Sequence, residues 1–156
     1  MLVLIGVCGI TAFFVMITRT LSKRRKLSLL LVEIFCTILL VSDRLAYLYR
    51  GDVSRLGYWM VRISNFTLFL MTLSIVYAIS LYITDLLMNE CSLKERPLRS
   101  VISYTLIVID LVMLIISQFT GGYYTFEETN HYVRAPLFLI SYIHAVVVIA
   151  IQLLIV

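Results

Sequence analysis

The chain has 156 residues, of which 62% are hydrophobic and only 14% charged, with a mean hydropathy of +1.02. Soluble chains carry roughly a quarter charged residues and about half apolar. A water-soluble fold of this length cannot hide so much apolar surface, and composition reads as an integral membrane protein whose first partner is the lipid bilayer. The net charge of +4 requires no nucleic acid, because most basic residues concentrate in two short connections, where they act as a topology signal.

In chain order, the first apolar run is Leu2 to Ile17, followed by "TRTLSKRRK" (18–26). The second runs from Leu27 to about Tyr47, then "YRGDVSRLG" (49–57). The third starts at Tyr58 and ends before "NECSLKERPLR" (89–99). The fourth is Val101 to about Phe119, followed by "TGGYYTFEETNHYVR" (120–134) and a last run, Ala135 to Val156. Crossing the hydrocarbon takes about 20 helical residues, and the runs lack the alternation of barrel strands. The expected fold is all-α: a polytopic membrane helical bundle with five transmembrane helices, at about 2–19, 27–47, 58–84, 100–119 and 135–156. Residues 1–156 read as one transmembrane domain. Eight basic residues fall in the first and third connections against three in the second and fourth, which predicts the N-terminus outside and the C-terminus cytoplasmic. Tyr47, Tyr49, Tyr58, Trp59, Tyr123 and Tyr124 cluster at the predicted outer ends, as an aromatic belt does. The apolar run is still open at Val156, which predicts a continuation.

Cys8 and Cys36 lie in apolar runs and Cys91 in a connection; neither a disulfide framework nor metal-ligand spacing is present. No catalytic motif stands out either. The reading is no cofactor, no metal and no enzyme within this chain.

Ionisable groups at membrane depth are costly, so each needs a partner or a purpose. On the second helix, Asp43 shares a face with Tyr47 and Arg50. On the third, Arg62 and Asn65 begin a polar stripe at matching depth, and Asp43–Arg62 is the expected pair. On the fourth, Asp110 sits between Ser103 and Ser117, each seven residues away. On the fifth, Ser141, His144 and Gln152 share roughly one face, three turns below Arg134, and Pro136 suits the first turn. Glu33 is expected to pair with Lys26. For Asp43 and Arg62 a packing role and a role in an outer pocket both stand, for Asp110 packing or the carriage of protons or ions, for His144 packing or ligation, and Glu33 reads as a cytoplasmic-side ion pair. The loop 121–134 is either a lid over that pocket or a solvated connector. The candidate ligand-binding or signalling residues are Asp43, Arg62, Asn65, Asp110, Arg134 and His144.

"TRTLSKRRKLSLLLVEIFCTILLVSDRLAYLYRG", "RISNFTLFL" and above all "YYTFEETNHYVRAPLFLISYI" (123–143) resemble N-terminal membrane regions of clostridial-type bacterial signalling proteins. In those, the region precedes a cytoplasmic diguanylate cyclase (GGDEF) domain or a histidine kinase module. Asn130, Tyr132 and Arg134 match the N-x-Y-x-R in their outer loop. The resemblance implies a sensory input module in the bacterial inner membrane. Its implied partners are a cytoplasmic effector fused downstream and a second copy of the chain in a homodimer. The alternative is a small transporter or channel subunit that uses Asp110 in its pathway.

Overall fold

A computed structural model describes residues 2–90 and 98–153. Cys91, Lys94 and Arg96 lie outside the described residues. Among those described there are five helices and one small hairpin: α1 (Leu2–Ile17), α2 (Lys23–Leu48), α3 (Arg55–Glu90), α4 (Leu98–Thr120), β1 (Tyr124–Phe126), β2 (Tyr132–Arg134) and α5 (Phe138–Leu153). The all-α class holds, with the hairpin as an addition that the loop's short, non-alternating sequence does not announce.

Several boundaries differ from the apolar runs, each for a local reason. Helix α2 begins four residues early, within the basic run, because the Ser22 side chain caps it by accepting from the Arg25 amide at 3.3 Å. Helix α3 begins at Arg55, since the Ser54 hydroxyl accepts from the Gly57 amide at 3.0 Å. It runs 36 residues, about 54 Å at 1.5 Å per residue. Helix α5 begins at Phe138 rather than Ala135, and Pro136 lies in the turn ahead of it, not in the first helical turn. That turn is tied to the end of α4, where the Ala135 and Leu137 amides donate to the Tyr123 and Gly122 carbonyls, both at 3.1 Å.

Two helices, α3 and α4, are long and apolar enough to cross a membrane, while α1 and α5 are shorter apolar helices. Helix α2 is long enough at 26 residues, but Glu33, Asp43 and Arg44 interrupt it. Helix α3 is the hub: it packs on α2, α4 and α5, and α1 packs on α2.

The interior is polar and the exterior apolar. Among the described residues, twelve polar or charged side chains are buried against ten hydrophobic ones, the reverse of a water-soluble core. Helix α4 shows the pattern most clearly. Its buried face is Ser100, Ser103, Ile107, Asp110, Leu114 and Ser117, a three–four spacing that keeps one stripe inward. Its outward face carries Val108, Val112, Ile115, Ile116 and Phe119, all exposed. Two apolar clusters flank Asp110. Val76, Ile107, Ala145 and Val148 pack on one side of it, and Leu114, Tyr123 and Tyr124 on the other.

At the end of the bundle where α2 starts and α3 finishes, polar side chains are tied together. Arg25 Nε donates to Asp85 Oδ2 at 3.2 Å, and the Ser22 hydroxyl donates to the same oxygen at 3.3 Å. The Thr84 and Ser100 hydroxyls are 2.9 Å apart, and the Tyr104 hydroxyl donates to Thr84 at 3.1 Å. The expected Glu33–Lys26 pair is not made. Lys26 Nζ donates to the Met16 carbonyl at 3.1 Å, and Glu33 faces Cys8 of α1, because the α1 backbone ends within reach of the lysine.

Candidate functional site

At the other end, the hairpin closes over the bundle. Its register pairs Tyr124 with Arg134, Thr125 with Val133 and Phe126 with Tyr132. Gly121 ends α4 with φ +66°, and a Cβ there would sit 2.8 Å from the Thr125 methyl, so only glycine serves that turn. The hairpin's aromatic rings stack inward. Phe69 of α3 lies 5.2 Å from Tyr124 and 5.9 Å from Tyr123 between centroids, and Tyr124 lies 5.6 Å from Tyr132. The Tyr124 hydroxyl donates to Gln118 Oε1 at 2.9 Å. Burial raises the Tyr124 phenol above its ordinary pKa despite that bond. Burial, with Tyr142 nearby, pushes Tyr132 up to about 12 against the opposing pull of Arg134.

The hairpin tip is latched by Asn130, buried and at φ +58°. Its Oδ1 accepts from Arg62 Nη1 at 2.9 Å, and its Nδ2 donates to the Asp52 carbonyl at 2.8 Å. The Arg62 guanidinium lies 3.5 Å from the Tyr58 ring centroid and 4.6 Å from that of Phe126. Arg62 is therefore held by the hairpin and not by Asp43. The reason is rotation: Val61 and Asn65 of α3 face the cleft beside α2, and one residue along a helix turns a side chain by about 100°, which sends Arg62 toward the hairpin.

Beneath the hairpin lies a cavity of about 960 Å³, walled by α2 and α5, with α3 and α4 behind. Four of the six sequence candidates line it: Asp43, Asn65, Asp110 and Arg134. His144 is brought to the same place from α5, where its Nδ1 bonds Asp110 Oδ1. Arg62 is the exception. Asn65 is buried and donates its amide to the Val61 carbonyl at 2.8 Å.

The charges in this cavity differ in how they are satisfied. Asp110 is 3% exposed, and its Oδ2 is buried without a hydrogen-bond partner among the described residues. The side chains of Asp43, Arg50 and Arg134 line the cavity and make no hydrogen bond or ion pair among the described residues. The Arg134 guanidinium rests 4.7 Å from the Phe138 ring centroid, a cation–π contact that positions it without consuming its donors. Arg50, Ser141 and Tyr142 also line it, and the candidate set omits all three. Arg50, seven residues from Asp43 on one face, and Ser141, three from His144, carry a legible signal. Among the described residues, no three His, Cys, Asp or Glu side chains come together to hold a metal.

The arrangement can bind a small polar molecule. It offers two free guanidinium forks for an anion, a carboxylate at the rim, and a second carboxyl deep inside with one oxygen unused. No protein-family model, no curated protein and no solved structure matches this chain, so its function is read from the cavity itself.

Proposed function

We propose that the chain is a membrane-embedded sensory input module of a bacterial signalling protein. Its five helices lie in the cell membrane with the N-terminus outside and the end of α5 at the cytoplasmic face. The cavity under the hairpin faces outward and receives the signal. Helix α5, which carries Arg134 ahead of it and His144 within it, passes a shift in packing to a cytoplasmic effector, a diguanylate cyclase or otherwise a histidine kinase, in a dimer. A ligand acts by binding one of two packings better than the other.

The observation that carries this reading is one cavity with exposed Asp43, Arg50 and Arg134 at its mouth and the buried Asp110, one oxygen unpartnered, at its depth, inside an apolar exterior. An intramembrane acid costs roughly 2.5–3.5 kcal/mol on insertion scales, and a second oxygen left unmet at that depth is not explained by packing. The buried serines of α4 fit the same setting, since small residues let helices approach closely in lipid.

The test is a fusion. The chain is joined in frame to a diguanylate cyclase domain in bacterial cells, and cyclic dinucleotide output is measured. Asp43→Ala and Arg134→Gln each shift the output at unchanged membrane level. Wild-type output from both variants rejects the sensory reading. A second reading, a transporter or channel subunit, draws on the inward stripe of α4 running through Asp110. Under it, Asp110→Asn abolishes flux in reconstituted vesicles, whereas a sensor shows no flux in either form.

A further inference from the structure

The sensor reading leaves the ligand open, and the cavity constrains it at three points. The first is charge. The rim presents Arg50 and Arg134 against Asp43, and Asp110 is already matched to His144. A monoanion therefore brings the rim to neutrality, and its oxygens meet two guanidinium groups that make no side-chain hydrogen bond or ion pair among the described residues.

The second point is the deep end. Asp110 Oδ2 is buried and unpartnered, and an unmet buried carboxyl oxygen is costly. That oxygen has almost no accessible surface, so a ligand hydroxyl reaches it as the side chains covering it shift, and then satisfies either protonation state by donating to the carboxylate or accepting from the acid. The third point is the wall between the two ends. Leu68, Leu73, Leu114 and Phe69 line it, which favours an apolar body over a sugar or a peptide backbone.

The spacing follows from α5. The Arg134 guanidinium sits over Phe138, and His144 follows six residues later on that helix. The rise of 1.5 Å per residue puts the anion site and the Asp110 oxygen on the order of 10 Å apart. We infer, resting on the sensor reading, that the cavity takes an amphipathic organic monoanion with an apolar body and a hydroxyl at the far end. A ten-carbon ω-hydroxy acid is longer than that gap when extended and spans it with its chain bent, and the cavity, at about 960 Å³, admits the bend and bulkier bodies with the same two polar ends.

Three probes on the intact chain, and one variant, test this. In nanodiscs of zwitterionic lipid, with empty nanodiscs as the blank, calorimetric titration with 10-hydroxydecanoate gives saturable binding. Decanoate, which lacks the hydroxyl, binds about tenfold more weakly, the scale of one hydrogen bond to a charged group. The methyl ester of 10-hydroxydecanoate, which lacks the charge, loses at least as much. Arg134→Gln weakens both acids alike and keeps their ratio. Equal affinities for all three probes, or heats no different from the blank, overturn the ligand class. If that happens while Arg134→Gln still shifts the output of the cyclase fusion, only the ligand class falls. If Arg134→Gln is silent there too, the sensor reading falls with it.

Discussion

The two ends of the bundle handle charge in opposite ways. Where α2 begins and α3 finishes, Arg25 and Asp85 are paired with side chains 12% and 10% exposed, and Ser22 adds a bond to the same carboxylate. Under the hairpin, the side chains of Asp43, Arg50 and Arg134 surround a void and make no hydrogen bond or ion pair among the described residues, Arg134 resting only on the Phe138 ring. The first end spends its charges on holding helices together. The second keeps them available. A paired charge reports on the fold, and an unpaired charge beside a cavity reports on what the fold is for.

The contrast makes graded predictions. The largest effect belongs to the paired end: Asp85→Ala removes the carboxylate that accepts from both Arg25 and Ser22 and lowers stability by about 3 kcal/mol, read as the loss of folded fraction in detergent unfolding. Next comes the latch. Arg62→Ala removes the bond to Asn130 Oδ1 and two ring contacts. Hydrogen exchange over residues 124–134 accelerates by the equivalent of about 1–3 kcal/mol, while the rest of α3 exchanges as before. Asp43→Ala, by contrast, shifts unfolding by less than about 0.5 kcal/mol while changing fusion output. A destabilisation as large as that of Asp85→Ala would show that Asp43 is structural after all.

The smallest effect is a pH response. Tyr132 is raised by burial to about 12 from an ordinary 10. A raised folded-state pKa means its contribution to stability is intact below pH 10 and is lost as pH climbs toward 12. Absorbance titration of the phenols at high pH therefore shows a late-ionising group, and Tyr132→Phe deletes it.

The parts of this molecule that follow from periodicity were legible in the sequence. The five helices, the polar stripe of α4 through Asp110 and the shared face of Ser141, His144 and Gln152 on α5 all repeat at helical spacing. Their signals lie within single segments. The latch was not legible, because Asn130 and Arg62 are 68 residues apart and no local pattern joins them. A rotation of about 100° per residue decides whether a side chain on α3 meets α2 or the hairpin, and apolar run boundaries do not fix rotation that finely. The hairpin escaped for a related reason: strands of three residues are too short to alternate visibly, and they form only because the rings of α3 give them a surface.

Orientation of the chain in the bilayer offers one further test of the contrast. A phosphatase fused within the hairpin loop at Thr129 is active when that end faces outward, and a cytoplasmic fluorescent reporter placed after residue 153 is bright. The reverse pattern would expose the cavity to the cytoplasm instead.

The bond between His144 and Asp110 has a mechanical consequence. It pins α5 to α4 partway along its length, with Phe138 six residues to one side and Gln152 eight to the other. A helix pinned near its middle is a lever with a fulcrum. The arms are about 9 and 12 Å at 1.5 Å per residue, and under the proposed sensory role a displacement at the cavity rim moves the far arm the opposite way, against the packing of Ala145 and Val148 on Val76 and Ile107. The clamped hairpin and the α2–α3 pair stay behind as the frame against which that lever turns.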